Sequence, residues 1–142
     1  MTDDPKVEII EYPMHDGDPF IVEANGNRYT VEFHEDYDAT PLDADCYDES
    51  DIQAWRDDQW RYIGVTVTSE EFTDVSDDLW GLEFNYPLDP PQVINGRTFR
   101  YTDADYQTLH YPVPGMIAGI EKTVESRKGW RHTVRKLYPF RR

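Results

Sequence analysis

A single cysteine, Cys46, leaves the chain no internal disulfide, so the expected setting is reducing and intracellular. Long apolar runs are missing too. The most apolar stretch, residues 111–120, is broken by Pro112, Pro114, Gly115 and Gly119, far short of the roughly 20 residues that cross a bilayer. No membrane segment is expected. The N-terminal MTDDPKVEIIEY alternates charge with hydrophobe instead of setting a basic start before an apolar run, so no targeting signal is expected either. Lysine is scarce: 4 Lys and 10 Arg stand against 18 Asp and 11 Glu.

Most motifs that carry chemistry are absent as well. Neither G-x-G-x-x-G nor G-x-x-x-x-G-K-[ST] occurs, which removes the usual phosphate cradles. A zinc site needs three or four Cys and His ligands close together, and the chain offers one Cys with dispersed His15, His34, His110 and His132. An EF-hand loop needs Gly at position six and Glu at position twelve. Counting from Asp36 these are Pro41 and Tyr47, and from Asp43 they are Asp48 and Ala54. Only a calcium site of another kind stays open. Cys46 lies among Asp43, Asp45, Asp48 and Glu49, whose negative field disfavours the thiolate that a nucleophile needs. Carboxylate pairs for glycoside hydrolysis carry no information among 29 acids. The expectation is a chain without enzymatic activity, cofactor or metal.

What is present is acid together with a core. Aromatics make up 14% of the 142 residues and apolar residues 38%, a composition that disordered acidic tails lack. The length suits a single domain, residues 1–142. Residues 1–121 hold 28 acids against 6 bases, a net of −22, while residues 122–142 hold 8 bases and one acid, a net of +7. An acidic body is thus followed by a basic C-terminal segment. Self-repulsion at −22 destabilises a compact state, so a cationic partner or high-salt solubility is the expected reason for the charge.

Alternation and turn chemistry place the elements. Residues 6–12 read as a strand between Pro5 and Pro13. Residues 20–24 and 29–34 form a hairpin around Asn25-Gly26-Asn27, because Asn-Gly suits the positive φ of a type I′ turn. A helix over 51–58 is expected behind a Ser50/Gln53 capping box. Residues 60–68 set Ile63, Val65 and Val67 on one face of a strand. Residues 79–86 set Trp80, Leu82, Phe84 and Tyr86 on one face of its antiparallel neighbour, closed by Pro87, Pro90 and Pro91. Asn95-Gly96 marks a second hairpin within 93–101. Helices follow over 103–109, capped by Thr102, and 114–128, stopped at Gly129, with Trp130, Val134 and Leu137 at helical spacing after it. These pieces make an α+β fold: an antiparallel sheet of five to six strands with two or three helices packed on one side.

Two acidic stretches are the candidate partner-binding residues: Glu35, Asp36, Asp38, Asp43, Asp45, Asp48, Glu49, Asp51, Asp57 and Asp58, then Glu70, Glu71, Asp74, Asp77 and Asp78. Asp-x-Asp pairs at 16/18, 36/38, 43/45 and 103/105 would, in extended chain, set carboxylates roughly 6.6 Å apart on one side, near the spacing of phosphates along a nucleic-acid strand. Tyr37, Tyr47, Trp55 and Trp60 accompany the acids and could give a partner rings to pack on. The basic segment, with Lys128, Arg131 and Arg135 on one helical face, has the acidic body as its nearest target, within the chain or in a second copy as a homo-oligomer.

The run Trp60-Arg-Tyr-Ile-Gly-Val-Thr-Val-Thr followed by Leu79-Trp-Gly-Leu-Glu resembles W-x-Y-[VI]-G-V-x-V-x and L-W-G-[IL]-E, a pattern of small, mostly uncharacterised acidic bacteriophage proteins. The likeness lies within residues 60–83. As a functional class such proteins resemble inhibitors of host defence, DNA mimics that occupy the nucleic-acid groove of a restriction or CRISPR nuclease. The resemblance implies a phage-encoded inhibitor acting in the host cytoplasm on a basic nucleic-acid-binding host protein, with no nucleic acid bound by the acidic body itself. The alternatives are a halophilic acidic domain and a virion or assembly protein.

Overall fold

The computed structural model describes residues 4–15 and 17–137, with side chains as far as Trp130. Strands β1 (Glu8–Glu11), β2 (Phe20–Ala24), β3 (Asn27–Glu35), β4 (Arg61–Ser69) and β5 (Ser76–Phe84) pair antiparallel in chain order as one five-stranded sheet. A separate two-stranded sheet joins β6 (Pro87–Ile94) to β7 (Arg97–Tyr101). Helix α1 (Glu49–Arg56) lies between β3 and β4, and α2 (Ala104–Leu109) and α3 (Val113–Leu137) close the chain. The α+β class read from the sequence is the class found.

Alternation builds the core. Phe20, Val22, Ala24, Tyr29, Val31, Ile63, Val65 and Val67 point to one side of the sheet. There they meet Val113, Met116, Ile117, Ile120 and Val124, which recur at helical spacing along α3. Each fully buried aliphatic side chain stabilises the fold by roughly 1.5–3 kcal/mol. The register of β3 on β4 runs unbroken from Tyr29↔Ser69 to Glu35↔Ile63, so Thr30, Glu32 and His34 share the opposite, open face with Gly64, Thr66 and Thr68.

Both Asn-Gly turns form as expected, with φ of 52° and 80° at Asn25 and Gly26 and of 54° and 78° at Asn95 and Gly96. Polar contacts lock the first turn to the helix. Asn25 Nδ2 donates to Glu121 Oε1 at 2.8 Å, Asn27 Nδ2 donates to Glu125 Oε1 at 2.7 Å, and Lys128 Nζ donates to Asn27 Oδ1 at 2.8 Å.

Several local expectations are corrected. The helix between β3 and β4 starts at Glu49 and not at Asp51. Its capping box joins Asp48 and Asp51, because the Asp48 side chain accepts from Asp51 N–H at 2.9 Å and Ser50 is already inside the first turn. Asp103, not Thr102, caps α2, accepting from Tyr106 N–H at 2.8 Å. Thr102 Oγ1 instead donates to the Glu83 carbonyl and accepts from Tyr86 N–H. Pro87, Pro90 and Pro91 do not merely end β5. They lie within β6, where the partners jump from Pro87 to Gln92 and, among the described residues, β7 is the only neighbouring strand, so their missing amides interrupt no sheet interior.

Gly129 does not stop the last helix. α3 continues to Leu137, so the boundary between acidic and basic charge falls inside one helix. One glycine lowers helix propensity by about 1 kcal/mol, which the surrounding residues outweigh. Side chains of residues 131–137 and all of residues 138–142 lie outside the described set, and the faces expected for Arg131, Val134, Arg135 and Leu137 lie there with them.

α1 sits beside Trp60 and Tyr62, whose side chains alternate away from α3. The Trp60 indole N–H donates to the Asp51 carbonyl at 2.9 Å. Tyr47 stacks on Trp60 with ring centroids 5.2 Å apart, and Tyr62 and Tyr86 meet Trp60 edge-on.

Candidate binding surface

On the open face the pairing of β4 with β5 breaks between Ile63 and Val65, whose partners are Leu82 and Leu79. Two residues, Trp80 and Gly81, therefore stand opposite Gly64, and Gly81 takes a φ of +74°, which a glycine adopts without strain. The extra residue inverts the alternation of β5. Leu82 and Phe84 pack on the core side, but Trp80 turns to the open face and not to theirs, correcting the single-face reading of residues 79–86. Its indole lies flat on Gly64. A Cβ there would clash with three atoms of the Trp80 ring. His34 stacks on the ring with centroids 5.6 Å apart and planes at 25°, and Trp80 is still 52% exposed.

Beside this row runs a polar one. Glu32, Thr66 and Asp78 are aligned across three strands, and Thr66 Oγ1 donates to Asp78 Oδ1 at 3.0 Å while lying 3.0 Å from His34 Nε2. Asp36 ties the first acidic stretch to the bulge: its Oδ2 accepts from Gly81 N–H at 2.8 Å and its Oδ1 from the amides of Asp38 and Ala39. The next side chain, Tyr37, is 88% exposed. A cleft of about 400 Å³ follows, lined by Glu35, Asp36, Tyr37, Trp55, Arg56 and Asp58 among others. Asp78, on the same open face as Thr66, thereby borders the 35–58 stretch, with Trp80 at the junction, whereas Asp77, paired with core-facing Val67, alternates to the other face.

Within residues 35–58 ten acids stand against one base, Arg56. Among the described residues Glu35 pairs with Arg61 at 2.9 Å, and no ion pair joins Asp38, Asp43, Asp45, Asp48, Glu49, Asp51, Asp57 or Asp58 to a cation. The stretch is nevertheless ordered, largely by its own carboxylates. Asp36 closes a turn, Thr40 caps a short 3-10 turn at Pro41–Asp43, and Asp48 and Asp51 cap α1. The Asp51 amide and then the Ser50 hydroxyl, both donating to Asp48, hold its carboxyl below the usual carboxylate range. That stabilisation is present at neutral pH and is lost as the pH falls through the depressed value. Asp48→Ala should therefore accelerate amide exchange at Asp51 and Ile52 at neutral pH, and acidification of the unsubstituted chain should do the same.

The remaining acids lie elsewhere. Glu70, Glu71 and Asp74 sit at the far end of β4, whose nine residues span roughly 27 Å. There Arg127 donates to Asp74 at 2.6 Å and holds its carboxyl below the usual range, so the start of the basic segment already lies on this second stretch within the chain. Nor do the Asp-x-Asp pairs form the expected ladder. Asp36/Asp38 occupy a bend, Asp43/Asp45 a turn and Asp103/Asp105 a helix start, and none of these three lies in a strand; Asp16 of the fourth is outside the described residues. Trp60 is buried, Trp55 half-buried, and Tyr47 belongs to the ring cluster with its hydroxyl donating to Glu83. Trp80, His34, Thr66 and Glu32 were not singled out from the sequence. The signal for them was a glycine in each of two adjacent strands.

Among the described residues no three His, Cys, Asp or Glu side chains converge to hold a metal ion, and no helix is long and apolar enough to cross a membrane. Comparison with protein-family models, curated proteins and solved structures finds no match to this chain.

Proposed function

We propose that this chain is a non-enzymatic, phage-encoded binding protein that covers the basic nucleic-acid-binding surface of a host defence protein by presenting carboxylates in place of phosphates. The observation that carries the reading is the acidic belt from Glu35 to Asp58, continued by Asp78: ordered, exposed and almost without compensating cations. Clustered like charge destabilises a fold. A belt ordered before any partner arrives loses little conformational entropy on binding, and its field speeds encounter with a positive groove. The mimicry rests on clustering in the folded chain and not on a regular carboxylate ladder. Glu70, Glu71 and Asp74, remote and partly covered by Arg127, stand outside the principal contact.

The test is capture from a bacterial lysate on the immobilised chain, followed by elution with duplex DNA. DNA should displace the retained proteins, because both ligands seek one basic surface, and the chain alone should not bind DNA. A variant carrying Asp38→Asn, Asp43→Asn, Asp45→Asn and Asp58→Asn should retain at least tenfold less, each lost charge contact being worth on the order of 0.5–1 kcal/mol. Asn tolerates the positive φ of 59° at residue 58. Retention that resists DNA and survives these substitutions would falsify phosphate mimicry.

A further inference from the structure

We infer that Trp80 is a seat for an arginine side chain of the partner, with the guanidinium stacked on the exposed indole face and bonded to the carboxylates beside it. The inference rests on the acidic-belt reading above and adds to it a preference for arginine over lysine.

Two features that weaken a strand produce this seat. Gly64 sits in β4, where a strand glycine has no side chain to pack, and its missing Cβ is the space the indole occupies. Gly81 supplies the positive φ of the bulge that turns Trp80 off the core side. A tryptophan serving only the core would keep the alternation and join Leu82 and Phe84. Instead the ring is laid flat on Gly64 and held by an offset stack with His34, with about half its surface open.

Carboxylates border the open face. Asp78 lies two residues before Trp80 with Oδ1 bonded to Thr66, Glu32 lies across Thr66 in register, and Asp36 is held at Gly81. Among the described residues none of the three forms an ion pair. An aromatic face bordered by anions suits a planar cation that stacks while its N–H groups reach sideways to oxygen. Arginine meets both demands, whereas the ammonium of lysine is a strongly hydrated point charge without a plane. Nucleic-acid-binding grooves are rich in arginine for the same bidentate chemistry toward phosphate.

The experiment titrates the full-length chain with octa-arginine and octa-lysine, equal in charge, and follows tryptophan indole N–H signals by NMR. The unsubstituted chain should bind octa-arginine about two- to fivefold more tightly, the range that an exposed cation–π contact supplies. One indole signal should shift with octa-arginine and be missing in Trp80→Leu. That variant should bind both peptides equally while keeping its affinity for octa-lysine. Gly64→Ala, which dislodges the ring but keeps every charge, should also abolish the preference. Equal binding of the two peptides by the unsubstituted chain, or a preference that survives Trp80→Leu, overturns the seat and leaves the acidic-belt reading standing. Binding of neither peptide at low salt overturns both.

Discussion

Trp60→Ala is expected to lower the unfolding free energy by about 3–5 kcal/mol, the usual cost of emptying a buried aromatic site. Trp60 is 2% exposed and is where α1 is fixed to the sheet. Its ring meets Tyr47, Tyr62 and Tyr86 and its indole N–H holds the Asp51 carbonyl. Against a total of roughly 5–15 kcal/mol for a small protein, the loss is a fifth of the stability at the least. Trp60→Phe keeps most of the ring contact but not the hydrogen bond, and should recover all but about 1–2 kcal/mol. Urea unfolding of the three chains measures both differences. A Trp60→Ala chain within 1 kcal/mol of the original would mean that the acidic segment is not anchored through this ring, and the argument for an ordered belt would lose its physical basis.

Alkaline pH should produce the second large effect. Tyr29 is fully buried, and burial, followed by the carboxylates of Glu121 and Glu125, pushes its hydroxyl up to about 12. Burial also raises Tyr47, Tyr62 and Tyr106, and pushes Tyr86 to about 12. Each group is more acidic unfolded, near 10, than folded. Its contribution is therefore complete below pH 10 and is lost as the pH rises through the folded value. For Tyr29 alone two units amount to roughly 2–3 kcal/mol. Urea midpoints should stay level up to about pH 9.5 and fall steeply above 10. Tyr29→Phe, which has nothing to ionise, should remove Tyr29's share of the fall. Equal pH dependence in the two chains would show that Tyr29 ionises as readily folded as unfolded.

The elements legible in the sequence were those whose signals are local. Asn25-Gly26 and Asn95-Gly96 announce their turns because few other pairs accept positive φ twice. Ile63, Val65 and Val67 announce the central strand because one continuous face must be buried. The bulge at Trp80-Gly81 was hidden, since a one-residue insertion exchanges faces without disturbing the apparent alternation of L-W-G-L-E-F. The acidic stretches were visible as composition, but their partition was not. Asp78 borders residues 35–58 through the return of β5 along β4, whereas Glu70, Glu71 and Asp74 stay at the far end with Arg127 and Asp77 turns to the core side of the sheet. Spacing arguments for Asp-x-Asp failed for a related reason. Asp36, Asp48 and Asp103 bond their own backbone and so favour turns and caps over extended chain. Gly129 misled in the opposite direction, because one glycine costs a long helix only about 1 kcal/mol and need not end it.

The central claim is that the belt over residues 35–58, with Asp78, competes with nucleic acid for a basic surface. Its most direct measurement is the release of labelled duplex DNA from a captured partner by the full-length chain, followed by fluorescence anisotropy as salt is raised. Release should weaken steeply with salt, since exposed charges are screened beyond about 10 Å at 0.1 M. It should also be lost in the Asp38, Asp43, Asp45 and Asp58 to Asn variant while that variant remains folded. Release that is indifferent to salt and undiminished in the variant would contradict the account.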